Sequence, residues 1–547
     1  MRISLILFIS MVLLSSCNVK EADVLLKNGL IYTVDSEFSV ATGMVYDNGR
    51  IIETGDWQDL QKKYLAGIEI DLKGKPVYPG FIDPHSHFYG YGTFLGMADL
   101  GGAKSFDEVL ERLKKHSKMF PGDWLVGRGW DQNDWPEKVF PDNKKLDELF
   151  PDKHVVLIRI DGHAVLANAK VLGKAGINGD TKIEGGAVLT TNGIPTGVLL
   201  DKGADIIRDM IPELSEEEKQ KVILKAQAEC FKVGLTSVCD AGIDKELIDL
   251  YDRMHHDGEL KMRIYAMLNP GEENEKAYMV NGPFVTERLT VRSVKLYADG
   301  ALGSRGAAML EPYSDDPENK GIFVVTQQTM DSVCEKAYNA GFQVNTHAIG
   351  DAANRMVLQS YSKFLKGKND RRWRIEHSQT IHPDDLNLFG EFSIIPSVQT
   401  THCTSDMIWA QDRLGSRIKN AYIYHSLLKQ NGWLPNGTDF PIEDIDPLKT
   451  FYSAVFRRNS DGWPEDGFQM EESLTREQAL RSITIWAAKA GFEEGLKGSL
   501  ETGKVADFVI LNNDLMTTDE DNILSTKVLA VFSNGELMIK DKSLEWY

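Results

Sequence analysis

Short runs of apolar, β-rich sequence recur between residues 77 and 435, and helical stretches separate each run from the next. Alternation of this kind is typical of βαβ units, in which successive strands lie parallel in one sheet. Eight such runs are found, at residues 77–83, 236–240, 263–268, 291–297, 343–346, 373–376, 393–398 and 432–435. Because eight parallel strands close a barrel, the sequence predicts an α/β fold of the (β/α)8 TIM-like type.

The spacing of the first two runs indicates an insertion. They lie about 150 residues apart, whereas one crossover helix needs only about a dozen residues. An insertion is therefore predicted after the first barrel strand, at about residues 100–230. Its aromatic and glycine-rich segments are expected to shape a lid or a substrate cleft.

The two ends of the chain look different from the middle. Strand-like runs alternate with Asn-Gly turns at residues 28–29 and 48–49, and again at residues 534–535, a pattern typical of hairpins. We expect residues 22–75 and 495–547 to join into one small β-sandwich domain beside the barrel, which would span residues 76–494. No internal repeat is evident.

The first 17 residues resemble a bacterial lipoprotein signal. Arg2 precedes an apolar run that is too short to span a bilayer, and the run ends at Leu-Ser-Ser-Cys17. Cys17 is therefore predicted to be lipidated, and an ordinary cleaved signal peptide is the alternative. Since Asn18 is not an aspartate, we expect an exported, lipid-anchored protein of the outer membrane, on its periplasmic or cell-surface side.

Composition excludes some partners. The formal net charge of −20 repels phosphate groups, so a nucleic-acid partner is not expected, and the lipid anchor is the only predicted contact with a membrane. The remaining cysteines lack the paired spacing of a thiolate metal site. A small-molecule substrate is expected, and the sequence leaves a homo-oligomer open.

Polar residues with metal-binding chemistry follow several of the predicted strands. In Asp83-Pro84-His85-Ser86-His87 the two histidines are two positions apart, so an extended backbone turns both imidazoles to one side. Alone, such a pair is as often structural as functional. His347, His377 and Asp439 follow the fifth, sixth and eighth runs, and the carboxyl ends of barrel strands meet on one face. The sequence therefore predicts a metal site there.

The fourth run contains Lys295 between apolar neighbours. Burying an ammonium group is costly unless it is paired, neutral or chemically modified. Its side chain either extends to solvent, forms an ion pair with Asp299, or has a function at the barrel mouth.

These segments resemble the amidohydrolase superfamily, and within it amidohydrolase family 3, which includes YtcJ-like proteins and N-substituted formamide deformylases. The resemblance covers nearly all of the chain after the signal segment. It rests on PGFIDPHSHF, GRGWDQNDWPE, DGHAVLANAKVL, VKLYADGALGSRGA, NTHAIGD, RIEHSQ, GTDFP and GSLETGKVADFVIL, which occur in this order.

The resemblance implies a role for each matching residue. His85 and His87 would bind one divalent ion, His347 and His377 would bind a second, and Lys295 would be carbamylated to bridge them. Asp439 would be both a metal ligand and the catalytic general base and acid. Zn²⁺, as one or two ions, is the expected cofactor because imidazole and carboxylate ligands suit it.

The expected reaction is hydrolysis of a non-peptide carbon–nitrogen bond in an amide, formamide or cyclic amide, through a metal-activated water. Deamination of an aminated ring on the same barrel is one alternative. A surface-anchored binding protein without turnover is the other. The substrate itself cannot be read from the sequence.

Substrate contacts are predicted at Trp130, Asp131, His163 and Arg305, which lie in segments that match the family. An arginine near the metals would clamp a substrate carboxylate through two hydrogen bonds. The structural alternatives are packing for Trp130, an ion pair for Arg305 and a satisfied polar contact for His163.

Overall fold

The computed structural model describes residues 19–119, 122–159, 164–183, 186–542 and 544. Its centre is a sheet in which seven strands pair in parallel, each with the following barrel strand. These barrel strands, first to seventh, are Phe81–Ser86, Leu235–Ile243, Arg263–Leu268, Leu289–Tyr297, Gln343–Ala348, Arg374–His377 and Ile395–Ser397. The predicted barrel fold is confirmed.

The eighth position is occupied by an irregular segment. Val398 forms a single parallel bridge with Asn436, and on the other side Asp439 N–H donates to the His85 carbonyl (2.9 Å) and His87 N–H to the Phe440 carbonyl (2.9 Å). Residues 435–440 therefore close the sheet without forming a regular strand. The prediction of a strand at 432–435 is wrong, because this run forms no strand and ends where the irregular segment begins.

The first predicted run, 77–83, is divided between two sheets. Pro76–Pro79 pairs outside the barrel, and the barrel strand begins at Phe81. Gly80 lies between them, where a Cβ would come 2.3 Å from Thr236 Oγ1. The chain thus passes from one sheet to the other at a residue that has no room for a side chain.

Helices follow the barrel strands and cover the barrel. They are Phe88–Gly96, Glu216–Lys232, Lys245–His256, Glu272–Asn274, Gln327–Ala340, Asp351–Leu365, Leu386–Glu391, Thr400–Asp406, Ala410–Leu414, Tyr424–Asn431, Pro447–Phe456, Arg476–Ser482 and Ile485–Ala490. The largest apolar core cluster lies between these helices and the strands.

The insertion has its own sheet of six strands. In spatial order they are Gly186–Thr191, Ile194–Asp201, Ala164–Ala167, His154–Arg159, Trp124–Trp130 and Ala98–Asp99. Helices Phe106–Met119, Lys144–Leu149, Ala169–Ala175 and Lys202–Arg208 accompany it. This unit lies between the first and second barrel strands in the chain, as predicted.

Two further sheets come from the ends of the chain. One contains Arg50–Gly55, Gly43–Asp47, Lys20–Lys27 and Tyr64–Asp71, and helix Trp57–Lys63 packs on it. The other contains Glu536–Lys540, Val528–Ser533, Phe508–Leu511, Pro76–Pro79, Leu30–Tyr32 and Val40–Ala41. One apolar cluster joins residues of both sheets and both chain ends. The exact domain boundaries stay a prediction.

Within the described residues, none of the helices combines the length and the apolar character needed to cross a bilayer. The predicted lipidation site, Cys17, lies outside the described residues.

Candidate metal centre

His85 and His87 lie at the carboxyl end of the first barrel strand. His85 is fully buried within the strand, and His87 precedes helix Phe88–Gly96 with its side chain 31% exposed. Their rings are 5.9 Å apart and nearly perpendicular. Both histidines therefore lie at the same face of the barrel, and His85 is the more deeply buried of the two.

A buried carboxylate orients His85. Glu376 Oε2 lies 2.7 Å from His85 Nδ1, and Arg374 pairs with the other carboxylate oxygen at 2.9 Å. Burial raises the pKa of Glu376, but Arg374 and His85 outweigh that effect and lower it to about 2. Because the carboxylate only accepts hydrogen bonds, Nδ1 carries the proton, and the Nε2 lone pair faces the barrel mouth.

His347 and His377 come from the fifth and sixth strands, whose register sets Ala348 opposite His377. Their ring centroids are 4.6 Å apart, and His377 is 5.0 Å from the ring of His85. Burial lowers the pKa of His347 to about 3, and that of His377 lies well below its usual range. Both rings are therefore neutral, the form that binds a metal ion.

Asp439 faces these histidines from the closing segment. Its Oδ1 lies 3.4 Å from His87 Nε2 and 3.5 Å from His85 Nε2. Burial raises its pKa, but the neighbouring His402 and His87 outweigh that effect, so the pKa lies well below the usual value. Asp439 is thus an anion, held at a left-handed φ of 61°. Such strained backbone is concentrated at functional sites.

The Gly437-Thr438 turn sets the position of Asp439. The Thr438 hydroxyl donates to Asp83 Oδ2 (2.6 Å), and a Cβ at Gly437 would come 2.6 Å from Asp83 Oδ1. Asp83 also accepts from the backbone N–H of His85 (3.0 Å). Asp83 therefore ties the histidine pair of the first strand to the segment that carries Asp439.

The donor atoms fit a cation. Ligand atoms of His85, His377 and Asp439 all lie within 4.8 Å of one another, and all three residues are buried. His347 Nε2, His377 Nδ1 and Asp439 Oδ1 have no hydrogen-bond partner in the described part of the chain. Buried polar atoms are normally satisfied, so convergent unsatisfied lone pairs beside a carboxylate match a metal ion.

Lys295 lies within this cluster. Its side chain is buried, and Nζ is 3.3 Å from His85 Nε2 and 4.8 Å from the centre of the Tyr297 ring. Burial lowers its pKa to about 8. The lysine therefore does not extend to solvent.

Asp299 is occupied elsewhere. It accepts hydrogen bonds from the backbone N–H groups of Ala308, Ile349 and Gly350 at 2.8–3.0 Å, which ties the loop after the fourth strand to the fifth. Burial raises its pKa to about 7. Asp299, the alternative ion-pair partner considered for Lys295, thus accepts hydrogen bonds from backbone N–H groups instead.

Two functional candidates escaped the sequence pattern. Glu376 is the last residue of the predicted strand 373–376, and nothing in the sequence pattern distinguishes it from other strand residues. His402 lies a few residues after the seventh strand, with Nε2 3.5 Å from Asp439 Oδ2 and Nδ1 3.1 Å from Glu443 Oε1. Burial alone would lower the pKa of His402, but the two carboxylates raise it to about 10. The only sequence signal was that the seventh strand lacked a functional residue.

The predicted substrate contacts are all engaged with the protein where the structure describes them. Trp130 is buried, donates to the Leu157 carbonyl (2.9 Å) and packs on Trp135. Asp131 lies 2.5 Å from Arg159, and Arg305 forms a two-pronged ion pair with Asp315. His163 lies outside the described residues. Substrate contact at these positions stays a prediction.

Comparison with known sequences identifies the relatives of this chain. The sequence profile described as "Amidohydrolase family" matches residues 69–539. Protein LONG AFTER FAR-RED 3 of Arabidopsis thaliana is 34% identical, over 94% of this chain and 91% of that protein. YtcJ of Bacillus subtilis is 31% identical, over 93% of this chain and 98% of its own length. N-substituted formamide deformylase of Arthrobacter pascens is 23% identical, over 94% and 98% respectively.

Solved structures agree in fold. A metal-dependent hydrolase from Pyrococcus horikoshii superimposes with a TM-score of 0.79 at 31% identity, covering 91% of this chain and 99% of that one. Its counterpart from Pyrococcus furiosus gives a TM-score of 0.77 at 31% identity, covering 90% and 100%.

Proposed function

Since this chain belongs to the amidohydrolase family, we propose that it hydrolyses a non-peptide carbon–nitrogen bond in a small amide, formamide or cyclic amide. Its similarity to a metal-dependent hydrolase of solved structure supports the proposal. One observation carries the proposal most strongly. Buried ligand atoms of His85, His377 and Asp439 converge at the carboxyl end of the barrel, where enzymes of this fold have their active sites.

The proposed ligand set extends this group. His85 and His87 would hold one ion and His347 and His377 a second, with Asp439 on the first; Zn²⁺ is the metal that best suits imidazole and carboxylate. When bound, divalent ions of this kind supply a nucleophilic water at neutral pH and polarise the carbonyl that it attacks.

Lys295 is proposed to carry the bridging anion. With its pKa lowered to about 8, an appreciable fraction of the amine is neutral near neutral pH. The neutral amine adds to carbon dioxide, forming a new N–C bond and releasing one proton, and the product carbamate carries one negative charge. This converts a buried cation into an anion, which two neighbouring divalent ions require.

Asp439 is proposed to handle the proton. Its carboxylate is ionised and lies beside the histidines, so it accepts the proton of the attacking water and returns it to the leaving nitrogen. Protonation of nitrogen lets an amine leave instead of an amide anion. Glu376 keeps the His85 ring in the orientation that this arrangement needs.

N-substituted formamides are the first substrates to assay, because the relative from Arthrobacter pascens is named as a deformylase of such compounds. Trp130, Asp131, His163 and Arg305 remain proposed substrate contacts. For Arg305, a ligand carboxylate would have to compete with Asp315.

Export as a lipoprotein is also proposed, on the basis of the Leu-Ser-Ser-Cys17 sequence. Labelled palmitate should be incorporated into the expressed protein and not into a Cys17→Ser variant. Equal labelling of both proteins would contradict lipidation at this residue.

The decisive experiment for the reaction is metal removal. The purified protein is analysed for metal and assayed on a panel of N-substituted formamides, amides and cyclic amides before and after chelation. We expect activity to be lost with the metal and restored by Zn²⁺. A metal-free preparation with undiminished hydrolysis would refute the proposal.

The number of metal ions bound per chain tests the proposed bridging role of Lys295. Lys295→Ala should lower the count from two ions per chain and reduce activity. An unchanged count with unchanged activity would exclude the bridging role. One ion per chain in the parent protein would favour the single-metal arrangement common in deaminases of this fold.

A further inference from the structure

Asp439 uses its two carboxylate oxygens differently. Oδ1 faces the Nε2 atoms of His87 and His85 at 3.4 and 3.5 Å, whereas Oδ2 faces Nε2 of His402 at 3.5 Å. A carboxylate without a contact at Oδ2 would be free to rotate about its terminal bond. The position of Oδ1 therefore depends on what holds Oδ2.

His402 is itself held from behind. Glu443 Oε1 lies 3.1 Å from His402 Nδ1 and also accepts from the Ser405 hydroxyl at 2.6 Å. Each ring nitrogen of His402 thus faces a carboxylate oxygen on a different side of the ring. This arrangement fixes both the plane and the direction of the ring.

The backbone around His402 is tied to the segment that carries Asp439 and Glu443. Helix Thr400–Asp406 begins with the Thr400 N–H donating to Asn436 Oδ1 (3.1 Å), and the Thr400 hydroxyl donates to the Thr450 carbonyl (2.9 Å). Asn436 lies three residues before Asp439. The spacing between His402 and Asp439 is therefore set by buried contacts.

We propose that His402 is a positioning residue which, held by Glu443, fixes the Asp439 carboxylate so that Oδ1 points at the metal-binding histidines. In this role His402 contacts the Asp439 carboxylate. Its effect on chemistry passes through Asp439, the ligand that must also move the proton. The inference rests on the metal-dependent hydrolysis proposed above.

The test uses the full-length protein loaded with Co²⁺ alone, because the visible absorption bands of Co²⁺ report the geometry of its ligands. His402→Ala removes the contact to Oδ2, and Glu443→Ala removes the support behind the ring. His256→Ala is the matched control, since His256 also faces a carboxylate, that of Asp257 at 3.4 Å, but its side chain is 89% exposed.

Loss of partners behind a metal ligand typically costs about 10–100-fold in metal affinity or activity. We expect His402→Ala to shift the Co²⁺ bands and to weaken Co²⁺ binding by about that factor in competition with a chelator. Glu443→Ala should change the same bands in the same direction but by less. Added imidazole should partly restore the spectrum of His402→Ala, and His256→Ala should match the parent.

Unchanged bands and affinity in His402→Ala would overturn the proposal. If that variant does not fold, Glu443→Ala decides in its place, because its side chain is 20% exposed at the edge of the site. The spectrum needs no substrate. Failure of hydrolysis in the parent protein would thus refute the proposed reaction while leaving the role of His402 to be judged from the metal.

Discussion

The two ends of the barrel both bury titratable side chains, but in different charge states. The amino end keeps buried acids and bases charged as pairs, whereas the carboxyl end keeps the His347 and His377 rings neutral. At the amino end, where the terminal β-sheets pack, Arg263 pairs with Asp507 at 2.7 Å with both side chains almost inaccessible. Lys497 and Glu493 form a second pair at 2.7 Å, and Thr290 donates to Glu493 (2.9 Å). Each of these charges has an opposite charge beside it.

The pKa directions agree with this arrangement. Burial alone would lower the pKa of Arg263 and raise that of Asp507, yet their mutual attraction raises the first and lowers the second. Both groups therefore stay charged. Such a pair needs no ligand, and removing one partner would leave an uncompensated buried charge.

At the carboxyl end, burial prevails for three basic groups, whereas His402 lies between the Asp439 and Glu443 carboxylates, which raise its pKa. The pKa values of His347, His377 and Lys295 are all lowered, so both rings are neutral beside the anionic Asp439 and a fraction of the Lys295 amine is neutral near neutral pH. Ring nitrogens and a carboxylate oxygen remain without partners in the described chain. The charges at the amino end compensate one another, whereas the carboxyl end brings several metal-binding atoms close together.

A single unpaired atom does not make a site. At the amino end, His255 Nδ1 also lacks a hydrogen-bond partner among the described residues, while its Nε2 lies 2.9 Å from the Met262 carbonyl. No other metal-binding atoms converge on it in the part of the chain that the structure describes. Convergence of several such atoms separates the functional end from the structural one.

The largest expected effect comes from Asp439→Asn, which removes the proposed proton acceptor and weakens a proposed metal ligand. We expect kcat to fall by about 10²–10⁴-fold, the usual contribution of general acid–base catalysis. Asp507→Asn is the control at the other end, and its folded fraction should retain parental kcat. Comparable losses of kcat in both variants would abolish the distinction between the two ends.

Arg263→Ala tests the amino end through stability. Breaking a buried pair by removing one partner costs about 3–5 kcal/mol, so the free energy of unfolding in urea should fall by about that amount. Arg253→Ala, in an exposed pair with Glu216, should cost about 0–1 kcal/mol. If Arg263→Ala were as stable as Arg253→Ala, the pair would not be a stabilising element.

Glu376→Gln sharpens the comparison within the metal centre. The amide no longer offers two acceptor oxygens to His85 and Arg374, so metal affinity or activity should fall by about 10–100-fold. Glu493→Gln makes the same chemical change at the amino end, and its metal affinity in chelator competition should equal that of the parent. Equal affinity in both variants would show that His85 needs no such support.

The barrel and the meeting of its strand ends follow from the sequence because topology, not distance along the chain, decides which residues become neighbours. Residues as far apart as His85 and Asp439 were expected to meet for that reason, and the structure brings them within 3.5 Å. The irregular eighth segment was harder to place, since a single bridge at Asn436 leaves no periodic pattern.

Sequence patterns could not predict which side chains contact one another. Arg305 was a candidate clamp, yet whether it pairs with Asp315, ten residues away, depends on a loop whose path no periodicity encodes. His402 lies in a short helix after its strand, so the rule that functional residues lie at strand ends passes over it. Trp130 is equally consistent with packing and recognition until its indole is seen to donate to Leu157.

The smallest expected effect is a pH dependence of the free energy of unfolding that arises from His255 at the amino end. Burial, with the positive charges of Arg288 and Arg263 nearby, lowers the pKa of His255 to about 4, from an unfolded value of about 6.5. The neutral ring is therefore favoured in the folded protein. Its contribution to stability is complete above pH 6.5 and is lost as the pH falls toward 4, because only the unfolded chain binds the proton in that range.

His255→Gln removes this titration while keeping an N–H donor for the Met262 carbonyl. Between about pH 7.5 and pH 5, the parent should lose roughly 1–2 kcal/mol more unfolding free energy in urea than the variant. All other titrating groups, including the metal ligands, are common to both proteins and cancel in the difference. Parallel pH profiles would mean that His255 titrates normally and that the amino end tolerates a third cation beside Arg263 and Arg288, contrary to the paired-charge arrangement described for that end.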